Sequence, residues 1–148
     1  MEIERKYLVT SDSYKQMAVA RYHICQGYIS REKTGTVRIR ITDDKASLTI
    51  KGKPAAGHFA RYEWEKEIDV QEAKELMQLC QGTIIDKTRW IVPAAEDGLK
   101  WEVDEFHGKH EGLTLAEIEL TSEEQEVEKP DFVGEDVTSD PRYYNANM

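Results

Sequence analysis

Apolar and polar residues alternate one by one along most of this chain, the spacing of half-buried strands. The alternation runs through EIERKYLV at the start, then HICQGYIS (23–30), TVRIRI (36–41), SLTIKGK (47–53), RYEWEKEI (61–68), KTRWIV (87–92), KWEVDEF (100–106) and LTLAEIEL (113–120). About eight short strands, separated by turn-prone stretches such as TDD, AEDG and HGKHEG, predict a mainly-β fold of the α+β class, a barrel or a sandwich. Helical spacing appears in three places. Residues 11–21 start at a Ser cap and put Tyr14, Met17 and Ala18 on one face. Residues 69–82 have Asp69 as cap, Glu72 three positions on, a face of Ala73, Leu76, Met77 and Cys80, and Gly82 as a stop. A third, short and polar helix is expected from Thr121, where TSEE reads as a capping box, and the chain from Lys129 on reads as loop. With no repeat, linker or low-complexity segment, residues 1–148 read as a single domain.

The polar faces of these strands are charged, and the signs are sorted. Glu2, Glu4 and Lys6 share one face of the first strand, and Arg38 and Arg40 share one face of TVRIRI. Thr49, Lys51 and Lys53 oppose Leu48 and Ile50, while Lys87 and Arg89 oppose Thr88 and Trp90. Glu63, Glu65 and Glu67 lie on one side of RYEWEKEI, and Glu117 and Glu119 on one side of LTLAEIEL. A sheet with one wet face also alternates. It normally mixes the signs within a strand, however, because like charges two residues apart repel. If these faces turn inward, the cavity has a cationic wall and an anionic wall, and the apolar faces point outward to be covered by helices or a partner subunit. That inverts the usual barrel.

The charge types suggest the ligand. Lys6, Arg38, Arg40, Lys51, Lys53, Lys87 and Arg89 suit a ligand with several phosphate groups, since Arg offers a planar fork and Lys a compact charge. The hard oxygens of Glu2, Glu4, Glu117 and Glu119 suit Mg²⁺ or Mn²⁺ rather than zinc. No Gly-rich phosphate loop is present, so side chains would have to hold the phosphates. Gly52 precedes Lys53, and a bulge there would turn Lys53 away; VDE offers either Asp104 or Glu105 to the interior.

Composition narrows the class. A net charge of −9 argues against a general nucleic-acid or anionic-membrane binder, though not against a locally basic cavity. Cys25 and Cys80 sit in apolar stretches with no CxxC pair and read as reduced core residues. No apolar run is long enough for a membrane span, and a cytoplasmic protein is expected. His107 and His110 read as loop residues, and EEQEVE as a solvated face.

The ordered series EIERK, QGY (26–28), RIR (38–40), TIK (49–51), EWE (63–65), KTR (87–89), EIE (117–119) and the tail VTSDPRYYN (137–145) resembles the CYTH family, the triphosphate tunnel metalloenzymes, over nearly the whole chain. The likeness is to its small single-domain bacterial members. It implies a closed, eight-stranded antiparallel tunnel that binds a triphosphate with a divalent metal. By motif position, Glu2, Glu4, Glu117 and Glu119 would hold the metal, and Lys6, Arg38, Arg40, Lys51, Lys87 and Arg89 the phosphates. Glu63, Glu65 and Asp104 would be secondary acidic groups, Tyr28 would reach a phosphate or shape the tunnel, and Arg142 and Tyr143 would close one mouth. Glu2, Glu4, Lys6, Tyr28 and Lys87 are the expected catalytic groups.

The leading expectation is a metal-dependent hydrolase of inorganic tripolyphosphate. Behind it stand a thiamine or nucleoside triphosphatase and a class IV adenylate cyclase, for which this short chain offers no obvious loop to hold a base. A non-catalytic polyphosphate-binding module is a different class, disfavoured by the paired carboxylates, which would weaken a pure polyanion binder. Outward apolar faces make a homodimer plausible.

Overall fold

The structure is a computed structural model describing residues 2–54 and 60–148. Its elements are β1 (Glu4–Val9), α1 (Tyr14–Met17), β2 (Ala20–Glu32), β3 (Gly35–Thr42), β4 (Lys45–Gly52), β5 (Glu63–Ile68), α2 (Val70–Met77), β6 (Gln81–Pro93), β7 (Lys100–Phe106), β8 (Thr114–Glu119) and β9 (Val133–Asp136). Among the described residues they form one nine-stranded sheet in the order β5-β4-β3-β2-β6-β7-β8-β1-β9. Every pairing is antiparallel.

The sheet has nine strands and is not the closed eight-stranded ladder that was expected. The seam between the β1 and β5 sides is a bridge of two backbone hydrogen bonds, Glu2 N–H to the Arg61 carbonyl at 2.9 Å and Arg61 N–H to the Glu2 carbonyl at 3.1 Å. Further along β1, the ninth strand takes over its free edge, with Tyr7 opposite Asp136.

Apolar side chains pack on the outside in two clusters. Tyr7, Trp101, Val103, Ala116 and Ile118 project from β1, β7 and β8 and are covered by Tyr14 of α1 and by Phe132. Tyr14 and Trp101 each meet Phe132 edge-on, at 5.8 and 6.4 Å between ring centres. Ile39 and Ala46 project from β3 and β4 and are covered by Ala73 of α2, with Leu76 and Met77 beside it. The expected inversion therefore holds. A third apolar group was not foreseen. Leu8, Ile85, Phe106 and Leu115 continue the inward-facing rows of β1, β6, β7 and β8 and pack with Val137, Tyr143 and Met148 of the tail. They plug the tunnel interior.

Both helices are shorter than their periodicity suggests. Residues 20–22 lie opposite 89–91 in the sheet, so the amphipathic stretch 11–21 keeps one turn of helix and gives its end to β2. Asp69 caps α2 as expected, accepting from the Gln71 and Glu72 amides, but residues 81–82 already belong to β6. The helix expected from Thr121 does not form. Gln125 accepts from the Thr121 amide and hydroxyl at 2.7 and 2.8 Å, yet a segment this polar has no apolar face to dock, and short helices need one.

The turn that follows α2 lies close over β2 at Gly27, beside Ile84 of β6. A Cβ there would come within 2.7 Å of Ile84 Cδ1 and 2.9 Å of Cys80 Cβ. Gly27→Ala is expected to push the α2 end off the sheet and to cost about 1–3 kcal/mol in urea unfolding, as overpacked sites do.

Candidate active site

The inward side chains line a cavity of about 450 Å³. Two neighbouring barrel strands, β3 and β4, give it a cationic wall, with Arg38 and Arg40 from one and Lys51 and Lys53 from the other. β6 adds Lys87 and Arg89, and β1 adds Glu4 and Lys6 opposite Glu117 of β8. Tyr28 lines the same space from β2. Gly52 keeps regular register with Gly35, so Lys53 faces the cavity and no bulge diverts it.

Most of these charges are paired with opposite charges on nearby strands of the wall. Asp104 is the hub, accepting from Lys87 Nζ at 2.7 Å and from Arg89 Nε and Nη2 at 2.7 and 2.8 Å. The inward residue of β7 is therefore Asp104. Glu105 points outward, where Tyr14, Trp90 and Lys15 hold it. Lys6 meets Glu117 at 3.3 Å and donates to the Tyr143 carbonyl at 2.8 Å. Lys51 meets Glu2 at 2.8 Å. Arg38 lies 3.6 Å from Glu65, with Thr49 between them donating to Glu65 at 2.6 Å and accepting from Arg38 at 3.0 Å. Glu63 stands opposite Lys51 in register and beside Glu2.

Besides the exposed Lys53, two groups are left over. Among the described residues, no carboxylate pairs with Arg40, whose Nε donates instead to the Gln26 amide oxygen at 2.8 Å. Likewise no ion pair reaches Glu4. Burial, then the neighbouring Glu117, pushes Glu4 up to about 7, with Lys51 too weak an offset. Burial, with Arg38 and Arg89 adding to it, pulls Arg40 down to about 9, still cationic at neutral pH. Burial pulls Lys87 down to about 7 as well; Asp104 opposes this, while Arg89 and Arg40 reinforce it. Burial opposes the charge on Glu117, but Lys6, Arg89 and Lys87 together hold it well below the carboxylate range. The Nε of Arg38 is buried and donates to nothing among the described residues. One wall thus lacks a carboxylate at Arg40 and leaves the Arg38 Nε unpartnered, and Glu4 on the opposite wall lacks an ion pair.

The four expected metal ligands reach the same region unequally. Glu4 opposes Glu119 and Lys6 opposes Glu117 in register. Glu2 is engaged by Lys51, Glu117 by Lys6, and Glu119 is exposed, its pKa raised by partial burial and by Glu2 and Glu102. Among the described residues, no three acidic, His or Cys side chains already converge at metal distance.

Sequence reasoning missed three participants. Glu102 faces inward and meets Arg89 at 3.2 Å, and its place two residues before Asp104 was the available signal. Gln26 is wholly buried beside Arg40, and Asn145 of the tail accepts from Lys87 at 2.8 Å; both lie in the motifs QGY and VTSDPRYYN, which were the available signal, but alternation gives neither a role. Tyr143 does reach the tunnel, through its carbonyl and ring. Arg142 instead stays exposed, paired with Asp140 at 2.7 Å. The two loop histidines are half-buried: His107 bonds to Thr88 at 2.7 Å and His110 to the Met148 carbonyl at 3.2 Å.

Fold and site together define an antiparallel β-tunnel whose charged interior is short of an anion on one wall and a cation on the other. The chain belongs to the CYTH domain family, whose model matches residues 1–144. A protein of Acetivibrio thermocellus named inorganic triphosphatase is 45% identical over 148 residues, covering 99% of this chain and 92% of that one. Another of that name, from Nitrosomonas europaea, is 32% identical, with 99% and 95% covered. A crystal structure described as that of an inorganic triphosphatase superposes with a TM-score of 0.66 at 31% identity, covering 99% of this chain and 93% of that chain.

The raised pKa of Glu4 has a sign that can be tested. A carboxyl that is more basic folded than unfolded favours the folded state while protonated. Its contribution is present below the ordinary value of 4.5 and lost as pH rises through about 7. A shift of that size corresponds to about 3 kcal/mol. In chelator, the thermal midpoint is expected to fall between pH 5 and 8, and Glu4→Gln to flatten that slope.

Proposed function

We propose that this chain is a divalent-metal-dependent triphosphatase that splits inorganic tripolyphosphate into pyrophosphate and phosphate inside its tunnel, with residues 1–148 acting as one unit in the cytoplasm. The observation that carries the proposal is the matched pair of deficits among the described residues: Arg40 has no carboxylate partner and the Arg38 Nε donates to nothing, while Glu4 has no ion pair. A polyphosphate with a bound metal supplies both. The high identity to relatives named inorganic triphosphatase over nearly their full length supports the choice of substrate.

The donor set fits Mg²⁺ or Mn²⁺. Glu4, Glu2, Glu117 and Glu119 are all hard oxygen donors, and the raised pKa of Glu4 marks a place where added positive charge is favourable. A bound metal would neutralise phosphate charge and lower the pKa of a water. The chain's own groups do the rest. Arg38, Arg40, Lys51, Lys53 and Arg89 hold the phosphates, which is most of what phosphoryl transfer asks of a protein. Lys6 stays protonated, because Glu117 and Glu4 outweigh its burial, and it contributes fixed positive charge. Lys87, near 7, can pass a proton to the departing pyrophosphate oxygen. The Tyr28 hydroxyl lies in the same cavity, available to a phosphate oxygen.

The test is product release from tripolyphosphate, ATP and thiamine triphosphate, each with Mg²⁺, with Mn²⁺ and with chelator. Chelator-sensitive phosphate release fastest from tripolyphosphate is expected. Glu4→Gln should lower it at least about a hundredfold, and Arg40→Ala should raise KM more than about tenfold. Cyclic AMP and pyrophosphate from ATP would make the protein a cyclase instead, and tight binding without turnover a binding module.

A further inference from the structure

Gln26 lies wholly buried among the cations of the tunnel wall. Its amide oxygen accepts from Arg40 Nε at 2.8 Å, and its amide nitrogen donates to Asn145 Oδ1 at 3.1 Å. That same Asn145 oxygen accepts from Lys87 Nζ at 2.8 Å. A continuous chain of hydrogen bonds therefore runs from Arg40 through two side-chain amides to Lys87, joining residues 119 positions apart in sequence. Lys87 continues it to Asp104 and Arg89.

Arg40 needs such a support. It is crowded by Arg38 and Arg89, the same charges that pull its pKa down. A guanidinium in that company would turn away unless something held it. A carboxylate would hold it most firmly, as Asp104 holds Arg89, but would also cancel its charge. A neutral amide orients the guanidinium and leaves the charge for a ligand. We propose that Gln26 and Asn145 are positioning residues that fix Arg40 and Lys87 in one frame without neutralising Arg40, so that the cation wall is preformed for an anionic substrate. The inference rests on the triphosphatase reading above and adds to it two residues that act through Arg40 and Lys87.

The chemistry separates this role from plain packing. Gln26→Glu keeps size and acceptor and supplies a salt bridge to Arg40, so a merely structural role predicts intact stability and intact binding. The positioning role predicts an intact thermal midpoint with loss of binding. Gln26→Met keeps the volume but removes the acceptor, and Asn145→Asp would place a second carboxylate beside Lys87, from the partly exposed tail, where folding is least at risk.

Binding of inorganic tripolyphosphate is measured by calorimetry in chelator, with KM and kcat in Mg²⁺ beside it. In Gln26→Glu and Asn145→Asp, Kd and KM are expected to rise at least tenfold, more than kcat falls, with thermal midpoints no lower than the parent's. Gln26→Met should weaken binding similarly and also lower the midpoint. Gln26→Glu and Asn145→Asp proteins that bind within twofold of the parent overturn the inference and leave the triphosphatase reading standing. A parent that neither binds nor cleaves tripolyphosphate overturns both.

Discussion

The interior of this protein depends on one buried carboxylate. Asp104 sits within 2.7 Å of Lys87 and grips Arg89 with both oxygens, and all three side chains are buried. Without it, Lys87, Arg89 and Arg40 would converge on one space with Glu102, at 3.2 Å from Arg89, as their remaining carboxylate partner among the described residues. Taking charge out of water is expensive, and a buried pair stripped of one partner typically costs 3–5 kcal/mol. Such pairs add little net stability against an apolar core. Their use here is geometric: the triad lets a tunnel be lined with charge and still close.

The remaining charges follow from that arrangement. Lys6 with Glu117, Lys51 with Glu2 and Arg38 with Glu65 repeat the same solution around the wall. Balance stops short of completion at Arg40 and Glu4, where burial works against both charges. The outer surface makes this possible. Because the apolar faces find cover under α1, α2 and the segment around Phe132, the hydrophobic drive that stabilises the fold does not require an apolar centre. Where the centre does turn apolar, at Phe106, Leu115 and Met148, the cavity ends.

Strand parity made much of this legible in the sequence. Side chains two residues apart share a face, so the sorted rows at Arg38 and Arg40 or Glu117 and Glu119 fixed what must point the same way, and the lack of mixed signs argued for the inside. Choosing Asp104 over Glu105 needed tertiary information, because both are acidic and only the surroundings of Tyr14, Trp90 and Lys15 show which is outside. The tail carries no periodicity; β9, Tyr143 and Asn145 find their places through contacts with residues far back in the chain. The 11–21 helix shows the converse, a local pattern partly overruled by pairing with β6.

The place of β1 in the sheet has a consequence in time. It is made first, yet its neighbours are β8 and β9, and Lys6 finds its acceptor at Tyr143 137 residues later. At roughly 5–20 residues per second of synthesis, β1 waits on the order of ten seconds for partners that do not yet exist. The β2–β3–β4–β5 meander can assemble during that wait, its cations offset by the carboxylates of β5 while those of β7 and β8 are still to come. Closure is therefore a late event, and such long-range pairing is slow once it begins. During synthesis the nascent meander is an open cationic trough, able to meet polyanions before it has a wall to exclude them.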